Sequence, residues 1–321
     1  MEYRFATHRE VPRLWEQLAS LSNLAFAEYE GAPEVDAAFC NWYGRRPGSS
    51  LDVCIGALSG DTLVANVLVA IEELNIGGEF IPCGIVDTVA THPEHRKHGL
   101  AHRLMEMAHE IMREYRVEAA VLYTNPENHP YHFYGRLGYI TRTRAGLLTG
   151  ERPTARAAYS VRPMREGEVE AVRGLVNARY SRYEGFARLD EALWQWHRVE
   201  RPASMPAEVV VAERQGQIVG TAALAEVDVL LGGQRERVTV ASDAVYPDTD
   251  CLREMLAASK QARITALHGL LNPEKDDLEA LGFTTQVGEV SMVLPFSQRA
   301  QALLGQPPGP WYVMVESVVG V

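Results

Sequence analysis

One order of landmarks occurs twice in this chain, and it limits the fold more than any other feature. Ile76-Gly77-Gly78 is followed by Pro93, then Asn125-Pro126, then Leu137-Gly138-Tyr139. Leu231-Gly232-Gly233 is followed by Pro247, then Asn272-Pro273, then Leu281-Gly282-Phe283. From the second glycine to the proline is fifteen residues in the first series and fourteen in the second. Similar openings precede both. Tyr3-Arg-Phe leads to a helix from about Glu10, and Tyr159-Ser-Val-Arg-Pro leads to one from about Glu166. Strand pairs follow, Leu51–Leu58 with Thr62–Glu72 around Gly60-Asp61, and Glu208–Glu213 with Ile218–Glu226 around Gln215-Gly216. Self-similarity of this kind predicts two tandem copies of one mixed α/β unit, residues 1–150 and 159–321. Gly150 to Ala158 break the apolar pattern between them, and Trp311–Val321 reads as a closing strand.

The copies differ in one place. Proline to asparagine is thirty-two residues in the first series and twenty-five in the second. An apolar run (Ile85, Val86, Val89, Ala90) leads into the longer segment, which opens with Pro93 and then Arg96-x-x-Gly99-x-Ala101. Leu100, Leu104, Met107, Ala108 and Ile111 follow at helical spacing and would seat a helix on a sheet. Strand, tight turn and helix start together make a diphosphate site, because successive backbone N–H groups point inward and the helix dipole favours an anion. Gly99 lets the backbone approach closely, and Ala101 keeps the first turn slim. The second copy reads Asp-Thr-Asp-Cys-Leu after Pro247, with no glycine and two aspartates where the anion would sit. It is therefore expected to have lost the site.

Charge supports this. The net charge of −11 argues against a nucleic-acid binder, yet residues 92–103 carry Arg96, Lys97 and Arg103 against one acid, Glu94. No uncharged run is as long as a membrane span, and the start lacks the apolar stretch of a signal peptide. Cys40, Cys54, Cys83 and Cys251 lack metal or disulfide spacing. A cytoplasmic protein that binds neither nucleic acid nor membrane is the expectation, with a homo-oligomer open.

The stretch Arg96-x-x-Gly99-x-Ala101 after a strand resembles the acetyl-coenzyme A signature of the GCN5-related N-acetyltransferases (GNAT). Asn125 through Phe133-Tyr134 to Gly138-Tyr139 is similar to that family's later motif. Tandem copies occur in the family, including the enhanced-intracellular-survival type of aminoglycoside acetyltransferase. The resemblance implies a mixed-sheet fold of two tandem GNAT-like domains. The first would be catalytic; the second, degenerate, would shape a cleft or a dimer contact. It also implies an acetyl-CoA site made by Val89, Ala90 and Thr91 on the strand, by Arg96, Lys97, His98, Gly99, Leu100, Ala101 and His102 at the turn and helix start, and by Asn125. Tyr134 matches the tyrosine that protonates the departing thiolate, and a phenol near pKa 10 stays protonated for that task. In an aromatic cluster with Tyr131, Phe133 and Tyr139 it could instead be a core residue.

The base is open. Asp87, at period two from Val89 and Thr91, is the candidate; Glu72 or Glu73 could act through water, or the amine could lose its proton to water alone. His92, His95, His98 and His102 suggest a metal, but the turn spreads them apart, and no metal is expected. The acceptor, a primary amine of a small molecule or peptide, would meet residues Ala25–Tyr43 and the loop after 139. Phe26, Tyr29, Phe39, Trp42 and Tyr43 would form a wall there, and Glu28, Glu30, Glu34 and Asp36 would attract a cation. Helix packing with a solvated acidic face explains the same residues. A non-catalytic acetyl-CoA sensor, another acyl donor or an O-acceptor are the other readings.

Overall fold

The computed structural model describes residues 2–27, 34–231 and 234–314. Tyr29, Glu28, Glu30, Gly232, Gly233 and residues 315–321 of the expected closing strand lie outside them. Among the described residues twelve strands form one sheet: β1 (Arg4–Thr7), β2 (Ile55–Ser59), β3 (Thr62–Ile76), β4 (Glu79–Thr91), β5 (Ala119–Thr124), β6 (Ile140–Glu151), β7 (Ser160–Pro163), β8 (Ala207–Arg214), β9 (Gln217–Leu231), β10 (Gln234–Val245), β11 (Arg263–Gly269) and β12 (Thr284–Pro295). Their order is β1-β2-β3-β4-β5-β12-β6-β11-β10-β9-β8-β7. Each copy contributes an antiparallel meander of four strands and then a parallel fifth, since a helix crosses over between β4 and β5 and between β10 and β11.

The final strands are exchanged. β12 of the second copy pairs with β5 of the first, and β6 of the first pairs with β11 of the second. β12 and β6 then pair with each other at the centre. The chain segments 1–150 and 159–321 are therefore not separate bodies in space. Residues 140–151, expected to include an acceptor loop, are a central strand instead.

Local details repeat between the copies. Asn23 exchanges two hydrogen bonds with the backbone of Val35, at 2.9 and 3.0 Å. Asn177 does the same with Leu189, at 3.0 and 2.9 Å. Asp36 caps the helix Ala37–Tyr43 by accepting from Phe39 N, and Asp190 caps Glu191–Trp194 by accepting from Leu193 N. The two caps each lead to a tryptophan, and Trp42 and Trp196, 154 residues apart, stack at 4.9 Å with 12° between their planes. Each indole N–H donates to the other's backbone carbonyl, at 3.0 and 2.8 Å. The copies thus meet about a local two-fold, and Phe39 and Trp42 are spent on packing there rather than on an open wall. Of the other acceptor-wall residues, Phe26 packs half-buried against the core, Asp36 is used as the cap, and Glu34 pairs with Arg235 at 2.8 Å.

The helix Leu100–Glu114 lies on the first copy's sheet through Leu100, Leu104, Ala108 and Met112, every fourth residue, with Met105 and His109 beside them. Met107 and Ile111, expected in that face, are only half-buried, because the i, i+4 row drawn from Leu100 turns them to the edge.

Candidate active site

β4 reaches the turn through a bulge. Thr88 and Val89 together stand opposite Val67 alone, and Thr88 has φ of 45°. The extra residue breaks the period-two argument that put Asp87 on the face of Val89 and Thr91. The bulge is pinned from β3. Asn66, wholly buried, donates through Nδ2 to the Thr88 carbonyl at 3.0 Å, and its Oδ1 lies 2.6 Å from His8 Nε2. Burial lowers His8 to about 4, against the smaller raising effect of the Asn66 bond, so this imidazole is neutral at pH 7 and Nε2–H is the donor.

The sheet opens just before the bulge. β4 and β5 pair only through Cys83–Ala119, Gly84–Ala120 and Ile85–Val121. Beyond that point the strands diverge into a wedge, and the β4 edge from Val86 to Thr91 has no ladder partner on that side among the described residues. Asp87 sits in this region with its carboxylate engaged. Tyr43 donates its hydroxyl to Oδ2, and Thr88 N donates to Oδ1 at 2.6 Å. Glu72 is held in a buried ion pair with Arg46 at 2.7 Å, which already uses its charge, while Glu73 is exposed.

The turn at the mouth of the wedge has the shape an anion needs. Lys97 and Gly99 both lie in the left-handed region, with φ of 67° and 75°. The helix starts behind Gly99 without a side-chain cap. Among the described residues, the backbone N–H groups of 97 to 102 have no acceptor. Such a run, at the positive end of a 15-residue helix, cradles a phosphate. A Cβ on Gly99 would meet nothing within 4 Å, so its backbone conformation, not crowding, calls for glycine.

Arg96, Lys97 and His98 are exposed along this loop, Ala101 is half-buried, and Leu100 is buried beneath it. Arg96 reaches the carbonyls of Ala25 and Thr91 only at 3.4 and 3.5 Å. His102 faces outward, 3.7 Å from Glu106. Tyr3, which the sequence reading passed over, lies 3.1 Å from His95 Nδ1 and packs its ring on His95 and His98. Among the described residues no group of three or more His, Cys, Asp or Glu side chains could hold a metal ion.

Tyr134, in the helix His129–Arg136, is buried against Phe133 and Tyr139 at ring distances of 5.2 and 5.9 Å. Asn125 forms a turn, accepting from Glu127 N at 2.9 Å. Tyr123, on the β5 wall of the wedge, is a residue that sequence reasoning missed. Its hydroxyl accepts from Trp311 Nε1 at 2.8 Å, and burial pushes it up to about 12, with Arg46 and Asp87 near enough to act on it in opposite senses. An aromatic near the end of an apolar strand carries no signal of such a place.

The second copy keeps the frame and lacks the parts. Asp243 and Ala244 stand opposite Ala222 alone, and Asp243 has φ of 53°, so the bulge recurs. The helix Thr249–Ala257 is closed by Asp248, which accepts from Cys251 N at 2.9 Å and from Tyr159 at 2.5 Å. Gly138 and Gly282 follow the helices His129–Arg136 and Pro273–Ala280 at φ of 94° and 92°, and Tyr139 N and Phe283 N bond back to Tyr134 and Leu278. Leu278 therefore occupies the place of Tyr134 and has no hydroxyl.

A family profile described as acetyltransferase (GNAT) domain matches residues 3–141. No curated protein is similar to the chain in sequence. Among solved structures, a GCN5-related N-acetyltransferase from Anabaena variabilis is similar with a TM-score of 0.65 and 13% identity, over 91% of this chain and 72% of that one. A probable N-acyltransferase of Enterococcus faecalis gives 0.65 and 14%, over 94% and 74%. N-myristoyltransferase of Saccharomyces cerevisiae with bound myristoyl-CoA gives 0.70 and 13%, over 91% and 82%. At these identities the likeness is one of fold. No described helix is long and apolar enough to cross a membrane. Residues 3–141 match the acetyltransferase (GNAT) domain profile, and the whole chain has the tandem fold of these acyltransferase structures, with a second copy that lacks the open turn of the first.

Proposed function

We propose that the protein transfers an acetyl group from acetyl-CoA to a primary amine of a small molecule or peptide, by direct attack in the first copy. The carrying observation is the run of unpartnered amides at 97–102 beside the open edge of β4. The donor's diphosphate would lie on that turn, with Arg96 and Lys97 adding charge. Its pantetheine amides would pair with the edge at Val89, Ala90 and Thr91, as a peptide augments a sheet, and Asn125 would meet the arm from the β5 side. A backbone N–H at the bulge would polarise the thioester carbonyl. Asp87, bonded to Tyr43, is the proposed base, and Tyr134 the acid that protonates the leaving thiolate.

Calorimetric titration with acetyl-CoA tests this. One site per chain, lost in Gly99→Glu, is expected; no binding, or two sites, would overturn it. A longer acyl donor is the second reading, favoured by the likeness to the myristoyl-CoA-bound structure. Competition between acetyl-CoA and longer acyl-CoAs separates the two.

A further inference from the structure

The second copy has a wedge too, and it is full. Pairing of β10 with β11 ends at Ala241–Ala266, as pairing of β4 with β5 ends at Ile85–Val121. Into the gap runs the extended segment 309–314. Asn272, 3% exposed, grips it on both sides of one residue: Oδ1 accepts from Trp311 N at 2.8 Å and Nδ2 donates to Trp311 O at 2.8 Å. Glu184 N donates to Pro310 O at 2.9 Å, and Tyr312 N donates to Glu184 O at 2.7 Å. Tyr312 donates its hydroxyl to Asp243, the bulge residue, at 2.6 Å. A Cβ on Gly269 would lie 3.2 Å from both Cβ and O of Trp311, so glycine at this point makes room for the segment. The space left, lined by Asp243, His268, Asn272 and Tyr312, is about 10 Å³, no more than one water.

The seated segment also reaches the first wedge. The wholly buried Trp311 donates from Nε1 to Tyr123 on the β5 wall at 2.8 Å, and Met314 Sδ lies 3.1 Å from Arg46. We infer that residues 309–314 are a built-in peptide ligand of the second wedge, and that Asn272, by clamping them, is a positioning residue for the pantetheine end of the first. The donor half of this inference rests on the proposed function. An amide-bearing strap fills in one copy the place an amide-bearing cofactor arm takes in the other. Its indole then backs the wall against which that arm lies.

The test compares acetyl-CoA with 3′-phospho-ADP, which carries the diphosphate but no pantetheine. Asn272→Ala should weaken acetyl-CoA binding at least tenfold, leave 3′-phospho-ADP unchanged, and speed hydrogen exchange at the amides of Trp311 and Tyr312. Trp311→Phe keeps an aromatic side chain and the backbone clamp, loses the bond to Tyr123 with part of the buried indole, and should give a smaller loss of the same kind. It serves if Asn272→Ala does not fold. An unchanged ratio of the two affinities in the folded variants overturns the inference, as does an equal loss of both, which would mean general damage. If the wild-type chain binds neither probe, the reading of the first wedge falls as well.

Discussion

In the first copy the helix Leu100–Glu114 starts behind Gly99 with no side chain on its amides. In the second, the helix Thr249–Ala257 starts behind Asp248, whose carboxylate has closed the same end from within. The wedges differ in the same sense: β4 has an open edge past Ile85, while the corresponding gap at β10 holds the strap 309–314. Tyr134 faces Leu278 in this comparison, a hydroxyl against none. Sheet, bulge and final glycine are common to both. The first copy leaves its helix-start amides and its strand edge without internal partners, whereas the second copy satisfies the same groups from within and uses them as a joint.

The largest effect should come from closing the open turn. Gly99→Glu places a carboxylate at the candidate anion cradle and a side chain at φ of 75°, which costs about 1–2 kcal/mol by itself. Titration should then detect no acetyl-CoA binding, while thermal melting remains cooperative; retained affinity would erase the contrast between the copies. Tyr134→Phe should lower turnover by roughly 10²–10⁴-fold with donor affinity unchanged, since a general acid acts on the leaving group only. Equal rates across pH would leave Tyr134 as a core aromatic, no different in kind from Leu278.

The joint itself can be broken. Trp196→Ala removes one half of the stacked, reciprocally bonded pair and should cost about 3–5 kcal/mol in denaturant unfolding. A loss below about 1 kcal/mol would mean the local two-fold does not hold the copies together.

Acid should weaken the first copy through two buried imidazoles. Burial lowers both His8 and His109 to about 4, so between pH 6.5 and 4 the unfolded chain takes up protons that the folded one refuses. Stability from these groups is present above pH 6.5 and falls as pH drops toward 4, by up to roughly 3 kcal/mol for each. His8→Gln should flatten that slope if the assignment is right. The smallest effect is expected at the second copy's closed helix: Asp248→Ala should cost about 1 kcal/mol as a lost cap and create no anion site. New binding of 3′-phospho-ADP there would show that the cap alone separates the copies.

Much of this was legible. The landmark order predicted two like halves, and the glycine turn predicted a helix start with unsatisfied amides, because turn and cap geometry depend on a few neighbouring residues. A further signal lay unread in the sequence. Asn23, Val35, Asp36 and Trp42 recur as Asn177, Leu189, Asp190 and Trp196 at one constant separation of 154, and would have located the joint. The face of the helix Leu100–Glu114 was misjudged by one row, since half-buried methionine and isoleucine at its edge mimic core positions.

The sequence by itself determined the duplication, the strand–turn–helix at 89–101 and the loss of that turn in the second copy, all of which follow from local backbone preference and apolar period. Only the tertiary structure decided that β6 and β12 change places, that Asn66 and His8 pin the bulge, and that Asn272 spends its amide on Trp311 rather than on a ligand. Those are pairings across tens to hundreds of residues. A strand edge or a side-chain amide accepts any partner of the right geometry, so which partner it takes is fixed by packing and not by local sequence.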